Sequence, residues 1–164
     1  MDELALALPI DHVASLTSGL TVRPDLDLLD ALGTATWLAL PPAIAEDPLA
    51  VLVELAPLLV RGDHWWFAAD GRLVVPAPVR VDELAQGLGL GALRTAAARR
   101  VGGQRGELAG LIFDPGRLGR RLILVYRIRI DADPVGPGSW MSPTSAKGLA
   151  LDPLSRLVID GLRP

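Results

Sequence analysis

The chain has 164 residues, half of them apolar and 21% charged, enough to bury the core of one domain and too hydrophobic for a disordered chain. A formal net charge of −3 gives no basis for general nucleic-acid binding, and the absence of cysteine excludes disulfides, thiolate ligands and cysteine nucleophiles. His12 and His64 are too far apart in sequence for a local metal motif, and no apolar run reaches the roughly 18 residues of a membrane span.

The opening "MDELALALPI" is acidic with a short apolar run, unlike a secretory signal, so a cytoplasmic setting is expected. Residues 10–33 read as two short helices, the second opened by Pro24 and Asp25 and closed by Gly33. Residues 1–36 are accordingly expected to form a helical extension. After the proline-rich "ALPPAIAEDP", the run "AVLVELAPLLV" predicts a strand ending at Arg61-Gly62-Asp63, with Pro57 assigning part of it to an edge or a bulge. "HWWFA" and "RLVV" flank Ala69-Asp70-Gly71 and predict a hairpin. Residues 76–90 read as loop, with a helical turn at Asp82 to Gln86.

A helix is predicted at 91–101, where Leu93, Ala96, Ala97, Arg100 and Val101 have three-and-four spacing. "GELAGLIF" reads as a strand and "DPGR", residues 114–117, as a turn with Pro115 and Gly116 at its centre. In the long strand "RRLILVYRIRID", Arg127 and Arg129 point to one face while Ile128 and Ile130 point to the other. The loop "DADPVGPGSWMSP" leads to a last helix with Asp152 as N-cap and Pro153 as its first helical residue. This order predicts an α/β fold in which a mixed sheet lies between helices.

One stretch, "AAARRVGGQRGE" (96–107), admits three readings. It is a phosphate-binding corner, a catalytic helix without its carboxylates, or a helix with a polar stop. From about residue 40 onward the chain resembles a Nudix-type domain. "LALPPAIAEDPLAVLVELAPLLVRGDHWWFAADGRLVV" is similar to the opening strands of a Nudix subgroup with a helical N-terminal extension. "AGLIFDPGRLGRRLILVYRIRI" resembles the strand, turn and long strand that follow the Nudix helix, and "GSWMSPTSAKGLAL" the tryptophan-bearing strand end before the last helix. The resemblance implies a Nudix-like domain over residues 37–164, behind the extension at 1–36.

That family carries G-x5-E-x7-R-E-U-x-E-E-x-G-U, with U a bulky aliphatic residue. Its glutamates hold divalent metal against a diphosphate. With the motif arginine on Arg99, Val101 and Gly106 also match. Ala85, Gly91, Arg100, Gly103, Gln104 and Glu107 depart, and no metal ligand survives. The resemblance therefore implies a Nudix-like module without metal-dependent hydrolysis. It would bind a protein partner, a second copy of itself or a nucleotide-type small molecule, but neither nucleic acid nor membrane, and it needs no cofactor. The alternative is a divergent hydrolase of nucleoside diphosphate derivatives that uses Mg2+ or Mn2+ on displaced carboxylates. Glu83, Glu107 or Asp114 would supply these ligands, and Glu107 and Asp114 would then share one cleft within about 10 Å.

Ligand-binding candidates are His64, Trp65, Trp66, Arg99, Arg100, Arg127 and Arg129. Successive tryptophans on a strand face opposite sides, so Trp65 and Trp66 divide into one core residue and one at a surface or pocket. Arginine grips phosphate in a bidentate fork, but the C-terminal end of a helix is the negative end of its dipole. The plain alternative for Arg99 and Arg100 is an exposed pair stabilising the helix end, and for Arg127 and Arg129 solvent exposure. "GLGLGALR" (87–94) places glycines before a helix, as phosphate loops do, yet lacks the lysine and hydroxyl of a P-loop.

Overall fold

The computed structural model describes residues 2–7, 19–22, 36–40, 50–84, 87, 89–114, 121–146 and 148–162. Two long strands form its axis. β4 (Ala50–Arg61) and β8 (Arg121–Arg129) run parallel, in register from Leu52 opposite Arg121 to Val60 opposite Arg129. Antiparallel strands extend the sheet on both sides. β7 (Glu107–Asp114) and then β2 (Gly19–Val22) flank β8, while β1 (Glu3–Ala7) and β3 (Thr36–Leu40) flank β4. Beyond Arg61 a tight turn leads into β5 (His64–Ala68), which pairs with β9 (Gly138–Met141), and the two-residue β6 (Ala77–Pro78) lies against Glu54 and Leu55.

β4 and β8 read as nearly continuous apolar runs because both sheet faces are covered. On one face Val51, Val53, Leu55, Leu122, Leu124 and Tyr126 pack with Leu93, Ala96 and Ala97 of α1 (Leu90–Arg100). On the other, Ala56, Leu58, Ile123 and Val125 pack with Trp65, Phe67 and the Val158–Ile159 pair of α3 (Pro153–Gly161). A single-turn helix, α2 (Pro143–Ala146), adds Ala146 to that second core. The expected mixed sheet between helices is present, with α1 one residue ahead of its predicted span.

The N-terminal part differs from expectation. Residues 19–22, read within a helical segment, form β2, and residues 3–7 form β1 between β3 and β4, with Leu4 and Ala5 fully buried. "GLTV" joins a glycine to β-branched residues, a composition that suits an edge strand better than a helix. The rest of the helices expected at 10–33 lie outside the described residues.

Pro57 lies in an unbroken parallel ladder with β8, so no bulge forms there, and the edge expected at Pro57 is the opposite side of β4, where residues 56–59 have no partner strand among the described residues. Alternation of the backbone explains this. Ile130 N–H donates to the Val60 carbonyl on the β8 side, whereas Val79 N–H donates to the Val53 carbonyl on the opposite side. Odd-numbered residues therefore turn their backbone groups away from β8. There, β6 pairs at 54–55 and β5 at 60–61, so the missing N–H of Pro57 falls in the gap between them. The third expected strand, "RLVV", does not form either. Ala68 N–H closes the hairpin on the Arg72 carbonyl, but the next amides, Leu73 and Val74, donate to the buried Ser155 hydroxyl of α3. The turn expected at Asp82–Gln86 is a 3-10 turn at Val81–Glu83, and residues 115–117 of "DPGR" lie outside the described residues.

Candidate functional site

The stretch 96–107 ends a helix by its backbone. Gly102 N–H donates to the Arg99 carbonyl (3.3 Å) and Gly103 N–H to the Ala98 carbonyl (3.0 Å), while Gly102 takes φ 62°. This is the glycine stop that satisfies the orphan carbonyls of a helix end. Gly103 and Gly106 then pass so close over β8 that a Cβ on either would strike Ile128.

Arg100 belongs to this framework rather than to an exposed pair. Its Nε and Nη2 donate to the two carboxylate oxygens of Glu83 at 2.8 and 3.0 Å, and its Nη1 and Nη2 donate to the Ala77 and Pro78 carbonyls. A bidentate fork thus fastens the helix end to the 77–83 segment. The Arg100 hydrogen bond holds the Glu83 carboxyl below the usual glutamate range, and Glu83 also accepts from Arg80 N–H.

The outward stripe of α1 has a different character. Gly89, Gly91, Ala92, Arg94, Thr95, Ala98, Arg99 and Arg105 line an open cleft of about 650 Å³. Its floor is small, and among the described residues its charged side chains are three arginines. Thr95 donates its hydroxyl to the Gly91 carbonyl, and Gly89 at the N-cap supplies no side chain to the first-turn amides. Beneath the helix, burial raises the pKa of the Tyr126 hydroxyl and the nearby Arg94 charge partly opposes that rise. Arg94 and Arg105 were not among the residues picked from sequence. Five and six positions from Arg99, they meet it only because a helix and its glycine stop fold all three onto one side.

The three fallback carboxylates do not converge. Glu83 is held by Arg100. Glu107 and Asp114 stand at opposite ends of β7, about 20 Å apart at roughly 3.3 Å per residue. Asp114 accepts from Arg121 (2.7 Å), whose guanidinium also meets the buried Glu54 at 3.2 Å. Among the described residues no group of three or more His, Asp or Glu side chains could hold a metal ion. The cleft itself does not fit Mg2+ or Mn2+ either, since these cations take oxygen ligands and its charged side chains are guanidinium donors.

Trp65 and Trp66 divide as their strand requires. Trp65 is in the core, and Trp66 packs edge-to-face on Trp140 of β9 at 5.4 Å between centroids. Arg61 lies over the Trp140 ring at 4.3 Å and pairs with Asp133, which also accepts from Trp140 Nε1. The Trp140 hydrogen bond and the Arg61 charge lower the Asp133 pKa. His64 is exposed opposite Arg61 at the head of β5. Arg127 is half-buried and Arg129 exposed, while Ile128 and Ile130 are buried, as the alternation demands.

No protein-family model and no curated protein matches the chain in sequence. In structure it is similar to Tm1382, a candidate Nudix hydrolase, with a TM-score of 0.66 at 14% identity, covering 98% of this chain and 97% of that one. The ORF135 protein of E. coli (TM-score 0.47, 14% identity, 67% of this chain and 86% of that one) is too distant to bear on the fold. So is a candidate oxidoreductase, SMa0793, from Sinorhizobium meliloti 1021 (TM-score 0.42, 12% identity, 68% and 40%). The chain has a Nudix-like α/β fold. Among the described residues no helix is long and apolar enough to cross a membrane.

Proposed function

We propose that this Nudix-like chain is a ligand-binding module without metal-dependent hydrolase activity. The observation that carries this reading is α1 itself. Its sequence, LGALRTAAARR, contains no carboxylate, and arginines line the cleft along it. The motif register supports the same conclusion. With Arg99 on the motif arginine, two core glutamate positions fall on Gly103 and Gln104, beyond the helix end. With the motif glycine on Gly102, which does end the helix, the core glutamate positions become Ala96, Arg99 and Arg100. Neither register supplies a metal ligand there.

A partner-protein version would have drawn on an exposed Trp65 or Trp66, and those rings are occupied by the core and by Trp140. A small ligand in the α1 cleft is the version the geometry favours. The test is turnover of ADP-ribose, dinucleotides and nucleoside triphosphates with Mg2+ or Mn2+, followed by product analysis. No metal-dependent cleavage is expected. Cleavage above the protein-free control would return the chain to the hydrolases.

A further inference from the structure

The cleft carries a charge pattern that names a class of ligand. We infer that Arg94, Arg99 and Arg105 form an anion site for a phosphate-bearing small molecule, bound with no bridging divalent cation. The inference deepens the binding reading above and rests on it for the use of this cleft.

Five of the other described arginines are paired with a carboxylate: Arg61, Arg72, Arg80, Arg100 and Arg121 each hold one within 4 Å. The whole chain has 19 acidic residues against 16 basic ones, so carboxylates are not scarce. Yet among the described residues the side chains of Arg94, Arg99 and Arg105 have neither an ion pair nor a hydrogen bond; those of Arg127 and Arg129 on β8 lack them too, but the first three share one cleft, and no carboxylate lines it. Three like charges around one concavity repel one another, and an anion seated between them converts that repulsion into attraction.

The geometry selects among anions. A guanidinium presents parallel N–H donors that match two oxygens of a phosphate, and a phosphate has enough oxygens for more than one such fork. A single carboxylate can satisfy only one fork fully. Gly91, Ala92 and Ala98 keep the floor low, so a ligand can reach the helix backbone. The volume of about 650 Å³ exceeds what one phosphate fills and lies within the roughly 300–1,000 Å³ of small-molecule sites. The phosphate is thus the anchored part of a larger molecule. The first-turn amides of α1, uncapped by any side chain, add the positive end of the helix dipole at the Gly89–Ala92 side.

The experiment is titration calorimetry of the purified chain with inorganic phosphate, in a chelator-containing buffer at fixed ionic strength. Arms with acetate and with added Mg2+ complete it. The variants are Arg94→Gln, Arg99→Gln, Arg105→Gln and Arg99→Lys, with Arg72→Gln as the control, because Arg72 pairs with Asp70 on the distant hairpin. Circular dichroism and thermal melts confirm that each variant is folded. Saturable phosphate binding in chelator is expected, weakened about tenfold by each glutamine substitution and unaffected by Arg72→Gln. Arg99→Lys keeps the charge but not the fork, so it should fall between wild type and Arg99→Gln. Failure to bind phosphate, equal binding of acetate, an absolute need for Mg2+, or wild-type affinity in the three glutamine variants would each overturn the site. Turnover separates the two proposals. Without phosphate binding or turnover, the site fails and the non-hydrolytic reading stands, whereas Mg2+-dependent turnover defeats that reading whatever phosphate does.

Discussion

Gly103 and Gly91 are both glycines near α1, but their surroundings give substitution opposite signs. A Cβ on Gly103 would collide with Ile128 Cγ2 and come within 2.9 Å of Ile130 Cγ2 and 3.1 Å of the Arg129 carbonyl. Both isoleucines are buried in the first core, so Gly103→Ala should destabilise by about 1–3 kcal/mol. Gly91 is helical and has nothing within 4 Å, so Gly91→Ala should stabilise by about 0.5–1 kcal/mol by restricting the unfolded chain. Urea denaturation of the two variants measures both signs, and a neutral Gly103→Ala would mean that β8 yields more than packed isoleucines should. The Arg100–Glu83 fork makes a second residue-level prediction. Glu83 titrates below its ordinary value of 4.5 in the folded state. Its contribution to stability is therefore complete above that value and lost as pH falls through the lowered folded value. Glu83→Gln should remove this part of the acid-limb slope in melts across that range. Arg100→Ala should cost about 1–3 kcal/mol at neutral pH, because Glu83 and two backbone carbonyls lose their partner together.

At the scale of the element, the ladder between β4 and β8 turns a rule about proline into a statement about sides. Pro57 is tolerated because its nitrogen faces the gap between β6 and β5. Pro57→Val should therefore fold, with the new amide exchanging hydrogen much faster than those of Ala56 and Leu58, which face β8. Slow exchange at position 57 would show that the alternation has been assigned to the wrong side. Sequence alone could not choose the side, because it depends on which neighbours β4 acquires from distant parts of the chain. Elements were legible where the local pattern was strong, as in α1, β7, β8 and the His64–Ala68 strand. "RLVV" was misread because its amides turn to Ser155, more than eighty residues away, and no local propensity reports such a bond. The candidate site was legible in the same measure. The missing helix carboxylates and Arg99 could be read directly, and Trp65 and Trp66 were separated by strand alternation. Arg94 and Arg105 required the fold, as did the discovery that Arg100 is a structural clamp.

For the whole molecule, the decisive question is whether the first 36 residues are an appendage. A separable helical extension would leave a domain beginning at residue 37 able to fold alone. The sheet argues otherwise. β1 lies between β3 and β4, with Leu4 fully buried in the first core and its amide donating to the Val79 carbonyl. β2 covers the outer edge of β7 from Gly110 to Phe113. Removing residues 1–36 would strip a neighbour from β4 and expose the edge of β7, leaving two unpaired edges for other chains to template on. It would also withdraw Leu4 from contact with Val79 and loosen the 77–83 segment that Arg100 clamps against α1. A chain starting at residue 37 should therefore aggregate or lose cooperative unfolding, whereas the full chain should melt in a single transition. If the truncated chain instead melts cooperatively and still binds phosphate, β1 and β2 are dispensable cover, and the functional unit is the 37–164 domain expected from sequence.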